Sequence, residues 1–460
     1  MGVEAALARF REWFRADGAP QAAVHAFEQM YRAYRGGVTG KVAWAQIEAV
    51  GVETLVGADA YEASLCREAG EACLDRLVWI VLNGGLGTSM RMDRAKSLVP
   101  VKGAYTFLDL IARYVLRRRQ GAGAPFPVLF MHSFHTREES LAALAPYGLA
   151  LGAGRGEGLP LDFVQHRFPR IREADGLPLG DPKDPEAWAP PGHGNLYLAL
   201  HAGGLLERLL ERGIRWAFVS NADNLGAAPH AGILGHLARN GAAFALEVTP
   251  RTQADVKGGT LVRRGGRLEL LELAQVPEEH GAHFQDPERF PVFNTNNVWV
   301  NLEALRDLLR QGGPALPLIV NRKTVGGVGV AQLETAMGAA VGSFGAAAGV
   351  LVSRGRFAPV KTTDDLLVRR SDVYREGSAS PLEPDPRRDP ALGPPLVRLD
   401  PRYYGSVADL DVRIPQPLGL LSARSLEVSG DVGFGQGVSV VGDVRLEGPR
   451  QIPDHTVLRG

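Results

Sequence analysis

The feature that most constrains this chain is the segment VWIVLNGGLGTSMRMDRAKSL, which runs from Val78 to Leu98. It opens with an apolar run that contains β-branched residues and shows no alternation, which predicts a central strand buried on both faces. Gly84, Gly85 and Gly87 follow where this strand would leave the sheet, and glycines there let a ligand approach main-chain N–H groups. Lys96 adds a mobile positive charge. The segment therefore predicts a loop that binds phosphate groups.

An ordinary strand-to-turn connection is the alternative interpretation, since the chain contains 56 glycines. Two familiar nucleotide motifs fit this loop badly. A Walker loop needs Lys and then Ser or Thr after its last glycine, whereas Gly87 is followed by Thr88 and Ser89. A Rossmann fingerprint needs a third glycine at the position of Met90, and its absence disfavours an NAD-dependent dehydrogenase.

Composition narrows the class of protein without defining its function. A length of 460 residues predicts two or three domains. The chain has 51 basic and 51 acidic residues, so its net charge gives no reason to expect nucleic acid or an anionic membrane as a partner. Cys66 and Cys73 are too few for a disulfide framework or a zinc site. The charged start of the chain does not resemble a signal peptide, and we expect a cytoplasmic protein that does not enter a membrane.

Lysine is rare here, with seven lysines against 44 arginines. A lysine in a glycine-rich or threonine-rich loop of such a chain suggests a need for a compact and flexible charge. Lys96, Lys257 and Lys361 stand in such loops, whereas Lys41 and Lys183 illustrate chance occurrence.

The pattern of hydrophobic residues divides the chain into regions. Residues 1–76 have helical spacing and predict a helical cap. In residues 77–375, strand-like and helical runs alternate, which predicts an α/β domain with a mostly parallel sheet, helices on both of its faces, and ligands beyond the carboxyl ends of its strands. Predicted strands cover 128–131, 216–219, 244–248 and 298–300. Predicted helices cover 106–118, 196–212 and 302–310.

Residues 376–395 are rich in proline and predict an extended linker. In residues 396–460, Leu420, Leu426 and Val432 recur every six positions, and Val428 and Phe434 belong to a second series with the same period. Two interlaced series of this kind favour a short β-helix, with an antiparallel sandwich as the alternative. End coils of a β-helix often assemble, so a homo-oligomer formed through this domain is a further hypothesis.

Several segments together, in this order, resemble one enzyme family. The family is that of the eukaryotic-type UTP:glucose-1-phosphate uridylyltransferases, also called UDP-glucose pyrophosphorylases, and the likeness extends from about Leu77 to the C-terminal repeat. The segments are LNGGLGTSM, QHRFPRI, PPGHGNLY, VSNADNLGA, EVTPRTQADVKGGTLV, LLELAQVP, FNTNNVWV and RFAPVKTTDDLLVRRSDVY.

The resemblance implies reversible uridylyl transfer, in which glucose 1-phosphate attacks the α-phosphorus of UTP in line, with Mg²⁺ as cofactor, to give UDP-glucose and pyrophosphate. It also implies a mixed, mostly parallel, Rossmann-like nucleotidyltransferase sheet flanked by helices in residues 77–375, and a left-handed β-helix at the C-terminus. Two alternatives stay open: the same reaction on galactose 1-phosphate or N-acetylglucosamine 1-phosphate, and a catalytically silent sugar-nucleotide sensor on the same fold.

Some roles follow from the residues themselves. The loop from Leu82 to Thr88, which includes Asn83, would hold the triphosphate through its main chain beside Lys96. Asp223 follows a predicted strand and is placed to bind Mg²⁺ through its carboxylate, since hard cations prefer oxygen ligands. A turn or helix-capping carboxylate is the alternative role for Asp223.

Other roles are implied by the resemblance alone. Gln165 and Gly192 would recognise the edge of uracil, and Lys361 would be the catalytic lysine that stabilises charge as pyrophosphate departs. The residues that would bind the sugar phosphate are His193, Asn221, Gly259, Glu272, Asn294 and Asn296. Two positions depart from the family pattern: Arg91 stands where glycine is common, and Asn195 where aspartate is common.

Overall fold

The computed structural model describes residues 2–120, 126–152, 158–252, 255 and 258–460. Lys257 lies outside these ranges. The helices are α1 (Val3–Asp17), α2 (Gln21–Arg35), α3 (Ala58–Tyr61), α4 (Ser64–Glu71), α5 (Phe107–Gln120), α6 (Arg137–Leu144), α7 (Leu196–Ala202), α8 (Leu205–Glu211), α9 (Ala231–Arg239), α10 (Gly281–Gln285), α11 (Leu302–Arg310), α12 (Thr363–Arg370), α13 (Pro401–Tyr404) and α14 (Val407–Arg413).

Strands occur along most of the chain. They are β1 (Glu48–Ala49), β2 (Leu77–Asn83), β3 (Pro100–Lys102), β4 (Tyr105–Thr106), β5 (Val128–His132), β6 (Asp162–Val164), β7 (Phe168–Pro169), β8 (Ile171–Arg172), β9 (Trp188–Ala189), β10 (Trp216–Asn221), β11 (Phe244–Pro250), β12 (Gly259–Arg264), β13 (Arg267–Glu272), β14 (Val292–Asn301), β15 (Ile319–Val325), β16 (Val328–Glu334), β17 (Ala347–Leu351), β18 (Tyr374–Glu376), β19 (Leu382–Pro384), β20 (Leu396–Leu399), β21 (Gly419–Ser429), β22 (Val432–Phe434), β23 (Ser439–Glu447), β24 (Arg450–Ile452) and β25 (Val457–Arg459).

The first two helices cover one side of the molecule with aromatic side chains. Phe10 and Phe14 of α1 contact Phe27 of α2, and Phe14 also packs edge-on against Phe168 and Trp188. Such ring contacts bury large apolar areas in preferred geometries. The helical spacing of the N-terminal residues therefore corresponds to a packed helical pair.

A seven-stranded sheet with the order β17-β11-β14-β10-β2-β5-β6 forms the centre of the fold. Strand β14 is antiparallel to β10 and β11, and the other neighbouring pairs are parallel, so the fold is mixed α/β. All seven residues of β2 are buried. Trp79 and Val81 belong to one apolar cluster and Val78 and Ile80 to another, so β2 is covered on both faces, as its unbroken apolar run predicts.

Two predicted elements differ from the structure. The helix expected over 196–212 is two helices, because Gly204 has a φ of 65°, and this left-handed conformation interrupts the helix after α7. The strand expected over 298–300 begins earlier, at Val292, so the NTNN run lies within β14. A register shift opposite Glu247 and Val248 marks a bulge in this strand.

The C-terminal strands pair in parallel, with β21 next to β23 and β22 next to β24. Leu426 lies opposite Val444 and Val428 opposite Leu446, so paired residues are eighteen positions apart, or three six-residue repeats. Parallel pairing contradicts the antiparallel sandwich, and it agrees with coils stacked on one another.

The proline-rich segment 376–395 is packed against the rest of the protein. Within it, β19 pairs with β18, and the Leu382 side chain is fully buried. The domain boundaries at residues 76, 375 and 395 stay predictions. Over the described ranges, no helix combines the length and the apolar character needed to cross a bilayer.

Candidate active site

The site lies at the carboxyl ends of two neighbouring parallel strands. Strand β2 ends at Asn83 and leads into the glycine loop, and β10 ends at Asn221. Their parallel register places Asn221 beside Leu82. The loop after β2 and the turn that carries Asp223 therefore open on the same edge of the sheet, where ligands of α/β proteins bind.

Most of the predicted nucleotide-binding residues line a single cleft of about 440 Å³. It brings together side chains and loops that are up to 252 positions apart in the chain, counting from Leu82 to Glu334. The predicted residues in its lining are Leu82, Asn83, Gly84, Gly85, Thr88, Lys96, Gln165, Gly192, His193, Asn221 and Asp223.

A second cavity of about 450 Å³ shares Gly192, His193 and Glu334 with the cleft and also has Gly258 and Glu272 in its lining. Five predicted site residues are not among the described residues that line the cleft or the second cavity: Gly87, Gly259, Asn294, Asn296 and Lys361. Gly87 packs against Met92 instead, because a Cβ on Gly87 would lie 2.8 Å from Met92 Sδ.

Lys96 and Asp223 form an ion pair within the cleft, through Lys96 Nζ and Asp223 Oδ2. Both side chains are mostly buried. The second carboxylate oxygen, Asp223 Oδ1, is buried and has no hydrogen-bond partner among the residues that the structure describes. Asp223 stands in the turn after β10 and presents this unsatisfied acceptor beside a lysine.

The glycine loop and Gln165 lie in close contact. A Cβ on Gly84 would lie 2.5 Å from Gln165 Nε2, so glycine is needed for this approach. The Gln165 main-chain N–H donates to His132 O at 2.9 Å, which fixes the start of the segment after β6. A side-chain amide is thereby held against the loop that is predicted to bind phosphate.

Gly192 and His193 adopt a specific turn beside strand β16. Gly192 has a φ of 76°, and a Cβ there would lie 2.4 Å from Thr335 O. The Met337 main-chain N–H donates to His193 Nδ1 at 3.0 Å, and burial lowers the pKa of His193 to about 4. The imidazole is therefore neutral, and its Nε2 carries the proton that can be donated to a ligand.

Three asparagines from two strands form a short chain of hydrogen bonds. Asn296 Nδ2 donates to Asn221 Oδ1 at 3.0 Å, and the Asn296 main-chain N–H donates to Asn294 Oδ1 at 3.1 Å. Asn296 has a φ of 60°, a left-handed conformation that asparagine tolerates better than most residues. The bulge in β14 thus orients these amides at the end of β10.

Glu272 is a buried carboxyl group in the wall of the second cavity. Burial raises its pKa to about 7, against the lowering effect of the Lys361 charge. A Cβ on Gly259, directly opposite in the β12–β13 hairpin, would lie 2.8 Å from Glu272 Cδ, so the glycine leaves space for the carboxyl group.

The replacement of Glu272 by glutamine should change how stability depends on pH. The carboxyl ionises near 4.5 in the unfolded chain and near 7 in the folded protein, so between these values the folded protein holds a proton that the unfolded chain has lost. Stability therefore falls as pH rises through this window. Melting temperatures at about pH 5 and about pH 8 should differ less in E272Q than in the parent. An equal change in both proteins would contradict this assignment.

Lys361 lies just before α12, and its Nζ is 5.9 Å from the centroid of the Phe293 ring. Its main-chain carbonyl accepts a hydrogen bond from Ser89 Oγ at 2.6 Å. Since Ser89 follows Thr88, the lysine segment adjoins the glycine loop without lining the cleft.

Some residues of the cleft come from distant elements and are not among the predicted site residues. Arg170 lies in the QHRFPRI segment, so the matched motif could have indicated it. Lys323, Gln332 and Glu334 lie on the β15–β16 hairpin, which has no local signal for ligand binding. His135, on the loop after β5, completes this group.

The two departures from the family pattern also have visible contacts. Arg91 has a φ of 54°, the conformation that glycine adopts most easily, and its guanidinium lies beside Gly405. Asn195 Oδ1 accepts hydrogen bonds from the His166 main-chain N–H at 2.8 Å and from its Nδ1 at 3.0 Å. Asn195 thus supports the residue that follows Gln165.

The fold and this cleft define a mixed α/β protein with a glycine-loop cleft at the carboxyl ends of neighbouring parallel strands in its central sheet. A family model described as UTP--glucose-1-phosphate uridylyltransferase matches residues 24–441. The chain belongs to this family, which confirms the resemblance inferred from the ordered motifs.

Known relatives cover nearly the whole chain. The UTP--glucose-1-phosphate uridylyltransferase of Hordeum vulgare is 38% identical over 440 residues, which are 94% of this chain and 91% of the relative. That of Saccharomyces cerevisiae is 40% identical over 378 residues, 81% of this chain and 74% of the relative. A solved structure of a UDP-glucose pyrophosphorylase variant from Leishmania major, in complex with UDP-glucose, has a TM-score of 0.89 and 34% sequence identity. The structural match covers 99% of this chain and 98% of the Leishmania major chain.

Proposed function

We propose that this protein catalyses reversible uridylyl transfer from UTP to glucose 1-phosphate, giving UDP-glucose and pyrophosphate. One observation carries the proposal: the glycine loop, the Lys96–Asp223 pair and Gln165 line a single cleft, and an adjoining cavity holds a neutral histidine and a carboxyl group. The first can accommodate a nucleoside triphosphate and the second a sugar. Family membership supports the same assignment.

Each part of the substrates has matching groups. Main-chain N–H groups from Leu82 to Thr88 and the Lys96 ammonium would bind the phosphates, and Gln165 and Gly192 would recognise uracil. His193 Nε2–H would donate to the sugar phosphate. The residues that would bind the glucose hydroxyls are Asn221, Gly259, Glu272, Asn294 and Asn296, because amides, a carboxyl group and a main-chain site together supply both donors and acceptors.

The reaction needs alignment and charge neutralisation more than covalent help. A phosphate oxygen of glucose 1-phosphate attacks the α-phosphorus of UTP and forms the new P–O bond, while the bond from the α-phosphorus to the bridging oxygen breaks and pyrophosphate leaves with its electron pair. Lys96 and Lys361 would stabilise the negative charge that accumulates on the transferring and departing groups.

Asp223 fits the role of a magnesium ligand. Its Oδ1 is a buried acceptor that no described residue satisfies, and the described residues contain no cluster of three acidic, histidine or cysteine side chains that would form a metal cage. Mg²⁺ is commonly held by one or two carboxylates together with substrate phosphates and waters. A bound ion would neutralise phosphate charge beside Asp223, and the protein's own part is to present that oxygen next to Lys96.

The decisive experiment measures pyrophosphate release from UTP and glucose 1-phosphate, with Mg²⁺ and with EDTA. We expect release that depends on Mg²⁺ and on both substrates. Parallel reactions with galactose 1-phosphate and N-acetylglucosamine 1-phosphate test the choice of sugar. Tight binding of UDP-glucose without any pyrophosphate release would instead support a sugar-nucleotide sensor.

We further propose that the parallel C-terminal coils form a left-handed β-helix through which the chain forms a homo-oligomer in the cytoplasm. The eighteen-residue register supports stacked coils. Light scattering should give a multiple of the subunit mass for the intact chain and a single subunit for a chain that ends at Gly393. Equal oligomeric states for the two chains would contradict this idea.

A further inference from the structure

A single side chain connects the glycine loop to the segment that carries Lys361. Ser89 Oγ donates to Lys361 O at 2.6 Å, across 272 positions of sequence. The two groups proposed to act on the phosphates, the loop and the lysine, come from opposite ends of the catalytic region. Their relative position depends on contacts of this kind, because neither element determines it alone.

The Lys361 peptide is also held from its own side. Its main-chain N–H donates to Asp365 Oδ2 at 2.8 Å, and Asp365 is part of the capping box at the start of α12. Helix α12 thus orients the N–H, and Ser89 orients the carbonyl. With both polar groups of the residue bound, the direction of its side chain is restricted.

Ser89 stands on a fixed turn directly behind the loop. The Met90 N–H donates to Gly87 O at 2.9 Å and the Arg91 N–H to Thr88 O at 3.1 Å, which closes a 3₁₀ turn over Thr88–Met90. The described residues that line the cleft do not include Ser89. Its hydroxyl therefore faces the lysine segment from a position outside the cleft.

The bond contributes more to geometry than to stability. Ser89 and Lys361 are both exposed, so water can replace the hydrogen bond at a cost of about 0.5–1.5 kcal/mol or less. A displacement of about 1 Å in a group that stabilises a transition state can, in contrast, lower a rate by about 100-fold. Loss of this hydroxyl should therefore affect turnover before it affects folding.

We propose that Ser89 is a positioning residue that holds the Lys361 peptide against the glycine loop, so that the lysine reaches the phosphates in the transition state. This inference rests on the proposed uridylyl transfer and deepens it by naming the group that joins the two halves of the phosphate site. Substrate affinity depends mainly on groups in the cleft itself, so the effect belongs to kcat.

The test compares S89A and S89T with the parent, measuring kcat, both KM values and the melting temperature. S89A should lower kcat by about 10-fold with KM within about 2-fold and an unchanged melting temperature. S89T keeps the hydroxyl and should recover most of the rate. The matched control is T54A, because the exposed Thr54 hydroxyl also donates to a carbonyl, Gly51 O at 2.9 Å, and Thr54 is not in the described lining of either cavity. T54A should have the parent's kcat.

A double-mutant comparison shows whether Ser89 acts through the lysine. If it does, S89A should cause no further loss in a K361A background. The proposal would be overturned by an additive loss in the double variant, by a normal kcat in S89A, or by equal losses in S89A and S89T. Each of these outcomes would leave the uridylyl-transfer assignment intact. An inactive parent enzyme would overturn that assignment and this inference together.

Discussion

Alanine in place of Lys361 should lower kcat by about 100- to 1,000-fold, the typical cost of removing one preorganised group that stabilises transition-state charge. The Lys361 side chain is exposed, and the contacts of an exposed charge contribute about 1 kcal/mol or less to stability. The melting temperature should therefore match that of the parent. The measurement is pyrophosphate release under saturating UTP and glucose 1-phosphate.

The control for K361A is K183A, which removes an equally exposed ammonium from a loop between β8 and β9. This variant should retain the parent's kcat, and the comparison separates a local role of Lys361 from a general effect of charge. A kcat of K361A within about 3-fold of the parent would contradict the assignment of this lysine to the phosphates.

Replacement of Arg356 by methionine should lower the free energy of unfolding by about 3–5 kcal/mol, because it leaves a buried carboxylate without its partner. Glu247 is fully buried and accepts hydrogen bonds from Arg356 Nε at 3.0 Å, Asn297 Nδ2 at 2.8 Å and Trp299 Nε1 at 2.9 Å. Burial alone would raise the pKa of Glu247, but Arg356 and these donors hold it below its ordinary value.

The loss in R356M should depend on pH. With its partner present, Glu247 has a lowered pKa and stabilises the folded state above the pH at which it ionises in the unfolded chain, and this contribution is lost as pH falls. The deficit of R356M should therefore be larger near neutral pH than in acid. Urea unfolding of the parent and the variant at both pH values measures it.

Two further variants sharpen the test of R356M. E247Q combined with R356M should recover part of the loss, because the double variant contains no unpaired buried charge. R445M removes the exposed partner of Glu427 and should cost less than about 1 kcal/mol. Equal losses in R356M and R445M would contradict a special role for the buried pair.

This ion pair also shows which kind of structural feature local sequence patterns do not reveal. Glu247 and Arg356 lie within segments that resemble the family, yet neither residue type indicates burial, since such residues are rarely fully buried unless they are paired. The pairing results from the sheet order, which places β11 beside β14 and β17. Asn224 then links this network to the lysine segment, since its Oδ1 accepts from the Ala358 main-chain N–H at 2.8 Å.

The same distinction explains the predictions that differed from the structure. Leu196 to Arg212 has helical spacing throughout, and the break at Gly204 arises from a backbone conformation that the hydrophobic pattern does not report. The NTNN run has the composition of a turn, but pairing of Asn294 and Asn297 with β11 includes it in β14 as a bulge. The pairing of β14 with β11 therefore overrides the local turn preference of the NTNN run.

The sequence by itself determined the buried central strand, the glycine loop that follows it, the six-residue repeat of the C-terminal coils and the family. These properties depend on residues adjacent in sequence, or on the order of motifs along the chain, and both can be read from the sequence. Only the tertiary structure decided that Ser89 meets Lys361, that the β15–β16 hairpin lines the cleft, and that Glu272 is buried enough to hold its proton near neutral pH. Those properties depend on which distant segments become neighbours, and on how much water their packing excludes.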